Sequence, residues 1–254
     1  MEPFIREAPV QGDPRPDCAA APSCADTRRC VIVSGGTFSP VSCLGEDDFI
    51  IACDSGYAHC IRLGVKPDLL ISDFDSYDGD VAPDIAVDRH IPEKDDTDTM
   101  LAVRYAIEHD FSDILLCCAL GGRLDHLVAN LQTMVYARRH GVHVSLLSED
   151  TEIHALCEET MVIPRREGWS LSVFAVDGPC SGVTIRGAYY PLDHAELLPS
   201  FPLGVSNRWA AEEAQVTVEE GILLVILSSL RRETPVHGIP AETSAGGSSD
   251  GPAF

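Results

Sequence analysis

Residues 30–148 alternate short, nearly unbroken apolar runs with stretches of helical periodicity, and this alternation limits the possible folds more than any other feature of the chain. The runs CVIVSGG, FIIACD, DLLISDFD, a weaker IAVDRHI, DILLCCALGG and HVSLLS have the length and composition of strands. Between them, Met100, Val103 and Ile107 follow Asp96 at helical spacing, and Leu127, Leu131, Met134 and Val135 follow Asp125 in the same way. Strands that alternate with helices build βα units, and strands apolar along their whole length belong to a sheet covered on both faces. The expectation for residues 29–150 is an α/β domain with a mostly parallel, Rossmann-like sheet.

From residue 151 the helical pattern fades. MVIPRREG, WSLSVFAVDGPCSG, VTIRGAYYPL, GVSNRW, AQVTVEEG and ILLVILSS are short runs split by turn residues, which predicts a smaller all-β, sandwich-like domain over residues 151–232. Residues 1–28, rich in Pro and Ala, and residues 233–254, polar and rich in Gly and Ser, have no periodicity and read as flexible tails.

Composition removes several functions. A formal charge of −22 excludes a broad nucleic-acid surface, which needs clustered Lys and Arg, and opposes docking on an anionic membrane. The start MEPFIREAPV has acids and prolines where a signal peptide needs an apolar core, and ILLVIL is strand length, far too short to span a bilayer. The ten cysteines are scattered without a CxxC pair, the pattern of buried reduced thiols rather than of a zinc site or a disulfide framework. The expected compartment is the cytoplasm.

In an open α/β sheet, ligands bind beyond the carboxyl ends of the strands. There the first strand carries Ser34-Gly35-Gly36, the second Cys53-Asp54-Ser55-Gly56 and the third Asp73-Phe74-Asp75-Ser76. The fifth carries Gly121-Gly122-Arg123, then Asp125 and His126, and Lys94-Asp95-Asp96-Thr97-Asp98 opens the helix before it. Several of these have plain structural readings. A Gly pair makes a tight turn, Asp95 caps a helix starting at Asp96 with Asp98 favoured at N3, Asp125 caps the next helix, and Asp54 forms a turn. Asp73 and Asp75 are harder to explain in that way. In an extended segment they point to the same side roughly 6.6 Å apart, and repel by about 2–3 kcal/mol at an effective dielectric of about 20. Adding Asp54 and Asp98 raises that cost unless a cation offsets it. Oxygen donors without His or Cys at ligand spacing favour a hard ion, Mg2+, with Arg123 and Lys94 as phosphate clamps. GxxxxGK[ST], GxGxxG after the first strand and GxSxG are all absent. On these residues alone, a two-metal phosphohydrolase stays open beside a nucleotide-dependent transferase.

The ordered series ACDSGYAHC, KPDLLISDFDS, PEKDDTDTMLAVRYA and GGRLDHLVANL, followed by GAYYPL and GVSNRW, resembles the thiamine pyrophosphokinase family over about residues 30–227. The resemblance implies an α/β catalytic domain, then a β-sandwich-like domain, in a homodimer that moves a pyrophosphoryl group from ATP to thiamine. It implies Asp54, Asp73, Asp75 and Asp98 as the Mg2+ and phosphate-site acids, and Thr97, Arg123 and Asp125 as contacts to ATP. Gly35, Gly36, Lys94, Asp95 and His126 are further candidates on the ATP side. Ser206 and Asn207 fall on the thiamine side, across the dimer interface, with Trp209 as a candidate for stacking. The chain departs from the family pattern at Ser72, which adds a side chain where glycine lets the backbone approach phosphate, at Ser55 and at Lys94. A hydrolase would not need GAYYPL and GVSNRW, while a binding regulator would hold both ligands without turnover.

Overall fold

The computed structural model describes residues 28–72, 81–89 and 96–230. Each of the six apolar runs in the first half becomes a strand: β1 (Cys30–Val33), β2 (Phe49–Cys53), β3 (Leu69–Ser72), β4 (Ala86–Arg89), β5 (Asp113–Cys117) and β6 (His143–Leu147). They pair in parallel in the order β6-β5-β1-β2-β3-β4. Successive side chains leave a strand on opposite faces, so the runs feed two cores. Cys30, Ile32, Ile114 and Leu116 pack beneath two helices, α2 (Asp98–Glu108) and α3 (Leu124–Arg139), whose Ala102, Val103, Met134 and Ala137 are buried there. Val31, Val33, Leu115 and Cys117 pack on the other face with Tyr57 and Cys60 of α1 (Gly56–Leu63). Burying one such side chain contributes roughly 1.5–3 kcal/mol.

The periodicity anticipated α2 and α3 but not their first residues. Thr97 is the N-cap of α2: its hydroxyl accepts a hydrogen bond from the Met100 N–H at 3.2 Å. Asp98 is therefore the first helical residue and not N3, while Asp95 lies outside the described residues. Arg123 holds the N-cap position of α3, so Asp125 sits in the first turn and does not cap it. Helix α1 went unseen because GYAHCIRL opens on glycine, has no side-chain cap and runs for only eight residues before Gly64 ends it at φ 72°.

The second half is all strand: β7 (Thr151–Pro164), β8 (Trp169–Ala175), β9 (Cys180–Arg186), β10 (Leu192–Leu197) and β11 (Glu213–Ser229). Antiparallel pairing of β7 with β6 joins these strands to the first half, so one 11-stranded mixed sheet runs β10-β9-β11-β7-β6-β5-β1-β2-β3-β4, with β8 on β11. AQVTVEEG and ILLVILSS are not two strands but one. Its register shifts between Val218 and Ile222, where Gly221 takes φ 93°, and β11 pairs with β7, β8 and β9. GVSNRW forms no strand and makes only isolated bridges, Leu171 to Asn207 and Ala188 to Trp209. A separate core of Leu171, Val173, Ile185, Val216 and Leu223 fills this half.

Cys30, Cys43, Cys53, Cys60, Cys117, Cys118 and Cys180 are free, as expected, whereas Cys157 on β7 is disulfide-bonded. Among the described residues no helix is long and apolar enough to cross a membrane.

Candidate active site

A cavity of about 510 Å3 opens beyond the carboxyl ends of β1, β2 and β5, facing the N-termini of α2 and α3. The chain leaving β1 contributes Ser34, Gly35 and Gly36. This loop is pinned to the end of β5 by Ser34 N–H donating to Cys117 O (2.9 Å) and Gly36 N–H donating to Cys118 O (2.8 Å). A Cβ at Gly36 would lie 2.5 Å from Cys118 O and 2.7 Å from Leu120 O, so glycine is required for the close approach. Since its N–H is already used, Gly36 serves the cavity through packing and not as an amide donor. The hydroxyls of Ser34 and Thr99, 2.8 Å apart, tie the loop to the first turn of α2.

Asp54 follows β2 at φ 46°, a left-handed conformation that turns the chain into α1. Its N–H donates to Ile71 O (2.9 Å), and its carboxylate Oδ1 accepts from the Ser72 hydroxyl, also at 2.9 Å. Both residues are buried; Ser72 is wholly inaccessible. The Ser72 side chain is thus directed at Asp54, which differs from the expectation that it would intrude where backbone meets phosphate.

The first turns of α2 and α3 present N–H groups without intrahelical partners, and their dipoles make this end of the cavity favourable for anions. Asp98 lines it from α2 and Arg123 from the start of α3. Arg123 bonds Asp125 through two contacts, Nε to Oδ1 (3.1 Å) and Nη2 to Oδ2 (2.6 Å), and Asp125 also accepts from the His126 N–H. The Arg123 guanidinium accordingly holds the Asp125 carboxyl below the usual carboxylate range.

The cavity therefore brings together Gly35, Gly36, Asp54, Thr97, Asp98, Arg123 and His126. Asp125 reaches it only through Arg123. Asp73, Asp75, Lys94 and Asp95 lie outside the described residues. Sequence reasoning overlooked Thr99 and Asn130 as lining residues. The Asn130 amide donates to Ala119 O at 2.7 Å, and its place on the inner face of α3 was the only available signal.

The predicted thiamine-side residues do not line this cavity. Asn207 is 1% exposed, and its side chain clamps Tyr190: Nδ2 donates to Tyr190 O (2.7 Å), while Oδ1 accepts from Tyr190 N–H (3.0 Å) and Arg208 N–H (2.9 Å). Trp209 belongs to the core of the second half, with Nε1 donating to Ile163 O at 3.0 Å, so it offers no open face for stacking. Ser206, at φ 57°, is exposed and held through its N–H by Ser172 Oγ (3.0 Å). Three exposed aromatics lie nearby in sequence: Phe201, and Tyr189 with Tyr190, the latter two set edge to face at 4.9 Å with the Arg208 guanidinium 4.4 Å above Tyr189.

As for a metal, Asp54 and Asp98 bring carboxylates to the cavity, and Asp54 Oδ2 takes no hydrogen bond among the described residues. The nearby Cys53 is no thiolate ligand, because burial pushes its thiol well above the ordinary range. Carboxylate oxygens suit a hard divalent cation. Among the described residues no three His, Cys, Asp or Glu side chains cluster closely enough to hold one, and the further proposed acids, Asp73 and Asp75, lie outside that set.

Two family models match the chain: the thiamin pyrophosphokinase catalytic domain over residues 42–146 and the thiamin pyrophosphokinase vitamin B1 binding domain over residues 158–223. The chain belongs to the thiamine pyrophosphokinase family. A thiamine pyrophosphokinase of Bacillus subtilis is 25% identical over 210 residues, spanning 78% of this chain and 97% of the relative. Thiamine pyrophosphokinase 1 of Arabidopsis thaliana is 28% identical over 191 residues, 69% of this chain and 70% of the relative. Among solved structures, the thiamin pyrophosphokinase of Geobacillus thermodenitrificans superposes with a TM-score of 0.68 at 27% identity, over 79% of this chain and 97% of its own. That of B. subtilis has the same fold, with a TM-score of 0.72 at 24% identity, over 80% and 99%. Most of the cavity falls within the catalytic match of this thiamine pyrophosphokinase family member, and Tyr189, Tyr190 and Ser206 fall within the vitamin B1 match.

Proposed function

We propose that the chain transfers the pyrophosphoryl group of ATP to the hydroxyl of thiamine, giving thiamine diphosphate and AMP. The observation that carries this reading is the cavity that joins Asp54 and Asp98 to two helix N-termini, in a chain that matches both halves of the thiamine pyrophosphokinase family. The thiamine oxygen forms a bond to the β-phosphorus, the bond from that phosphorus to the oxygen bridging the α-phosphate breaks, and the hydroxyl proton is released.

Transfer of this kind depends mainly on positioning and on stabilising charge. The N-termini of α2 and α3 are the anchors for the triphosphate, and Arg123 exchanges Asp125 for a phosphate oxygen when the nucleotide enters. Ser34, Thr99 and Asn130 fix the loops that shape the cavity. Asp54 and Asp98, with Asp73 and Asp75, would hold Mg2+. When bound, the ion supplies neutralisation of the triphosphate charge.

On the thiamine side, Asn207 acts by holding the Tyr189-Tyr190 segment, and Ser206 is the residue we assign to the substrate. We also propose that the protein is a cytoplasmic homodimer, that residues 29–150 form the catalytic unit with a Rossmann-like parallel sheet, and that residues 151–232 form a sandwich-like unit serving thiamine and dimerisation.

The test is a product assay with purified protein, ATP, Mg2+ and thiamine, resolved by chromatography. AMP rising in step with thiamine diphosphate is the expected result. ADP with thiamine monophosphate would overturn the reading, as would phosphate release without a thiamine ester.

A further inference from the structure

Ser72 ends β3 with its side chain wholly buried, and its hydroxyl donates to Asp54 Oδ1 at 2.9 Å. Asp54 is itself 8% exposed, takes φ 46° and is tied to the end of β3 by its N–H donating to Ile71 O at 2.9 Å. One carboxylate oxygen is therefore occupied, while Oδ2 takes no hydrogen bond among the described residues of a side chain that lines the cavity. A carboxylate held in this way has Oδ1 directed at Ser72 with one lone pair engaged, and leaves Oδ2 as the oxygen without a protein donor among the described residues.

Coordination chemistry gives that restriction a consequence. Mg2+ requires near-octahedral geometry and takes single carboxylate oxygens at about 2.0–2.1 Å. The larger Ca2+ accepts six to eight oxygens and gains from carboxylates that chelate through both. We propose that Ser72 is a positioning residue which fixes Asp54 as a one-oxygen ligand and so sets the preference of the site for Mg2+ over Ca2+. This rests on the reading of the cavity as the metal and triphosphate site.

The test is calorimetric titration of Mg2+ and of Ca2+ into the full-length protein saturated with the α,β-methylene analogue of ATP, whose bridge cannot be cleaved. In S72A the freed carboxylate can chelate, and the ratio of the two dissociation constants should move toward Ca2+ by about tenfold, the effect of one hydrogen bond to a charged group. A purely structural role would weaken both ions by the same factor, and that result, or an unchanged ratio, overturns the inference. If S72A does not fold by its melting curve, S72G, which also lacks the hydroxyl, is read in its place against the same outcomes. Asp54→Asn separates the two levels. If it binds both ions as the native protein does, the reading of the cavity fails and the role of Ser72 falls with it. If metal binding collapses in Asp54→Asn while the ratio in S72A is native, only the role of Ser72 fails.

Discussion

Glu152 shows how much one side chain can contribute when its partners converge. Burial alone would raise its carboxyl, but hydrogen bonds from His154 at 2.6 Å and from Arg166, with their charges, outweigh burial and bring it down to about 2 from 4.5. Because the folded value lies below the unfolded one, the stabilisation is complete above about pH 4.5 and is lost as pH falls from there toward 2. The full shift corresponds to roughly 3–4 kcal/mol, and solvent screening at a half-buried pair reduces what is realised to roughly half of that or less. Glu152→Gln should remove most of it at pH 7 and flatten the stability profile between those values, as read by urea titrations at each pH. Trp209 is a second case. Phenylalanine there keeps most of the packing but loses the bond to Ile163 O, which also sits in the ladder opposite Ala214, so Trp209→Phe should cost about 0.5–1.5 kcal/mol. The KM for thiamine should stay native, whereas a stacking residue would raise it. Composition could not separate those two roles, because an indole in GVSNRW looks the same whether it faces a ligand or a core. Asn207 misled for the same reason: its amide is spent on the backbone of Tyr190, a partner 17 positions away.

Among elements, the parallel strands were legible because burial on both faces demands unbroken apolar runs, and CVIV, FIIAC and DILLC have that character. Helices α2 and α3 were legible from their spacing. Their starts were not: Asp95, Asp96, Thr97 and Asp98 are all good capping types before α2 and only the fold selects among them, while the N-cap of α3, Arg123, is not a capping type at all. The selection of Thr97 gives a prediction. Thr97→Ala should lower stability by about 1 kcal/mol, and since the cap stands at the cavity it should also weaken ATP more than thiamine, measured as separate KM values. The sequence of β11 predicts two strands because Glu219-Glu220-Gly221 has the composition of a turn, yet this stretch forms a bulge within a single strand. Of the four acids whose like charges pointed to a site, Asp54 and Asp98 line one cavity, while Asp73 and Asp75, the pair that first pointed to it, lie outside the described residues.

At the scale of the whole molecule, the sheet is continuous from β10 to β4, and α3 is fastened to the second half by Arg138 with Glu159 (2.6 Å) and by Arg139 with Asp177. Arg138 is buried, so removing Glu159 would strand a charge, which makes this tie costly to break. Unfolding should therefore be one cooperative event. Far-ultraviolet and near-ultraviolet signals should follow a single urea curve, with equal calorimetric and van't Hoff enthalpies; two resolved transitions would show that the halves are energetically separate.

The three partners of β11 also set a clock. It comes last among the described elements; β7 pairs with it along most of its length, β9 with its first part and β8 with its last. A nascent chain emerging in order can close its parallel half early, but must hold β7 with an open edge until residues 213–229 arrive. Pairings so distant along the chain form slowly and leave strand edges able to find a neighbour's. The half-made molecule is thus at its most adhesive just before the final strand that seals it.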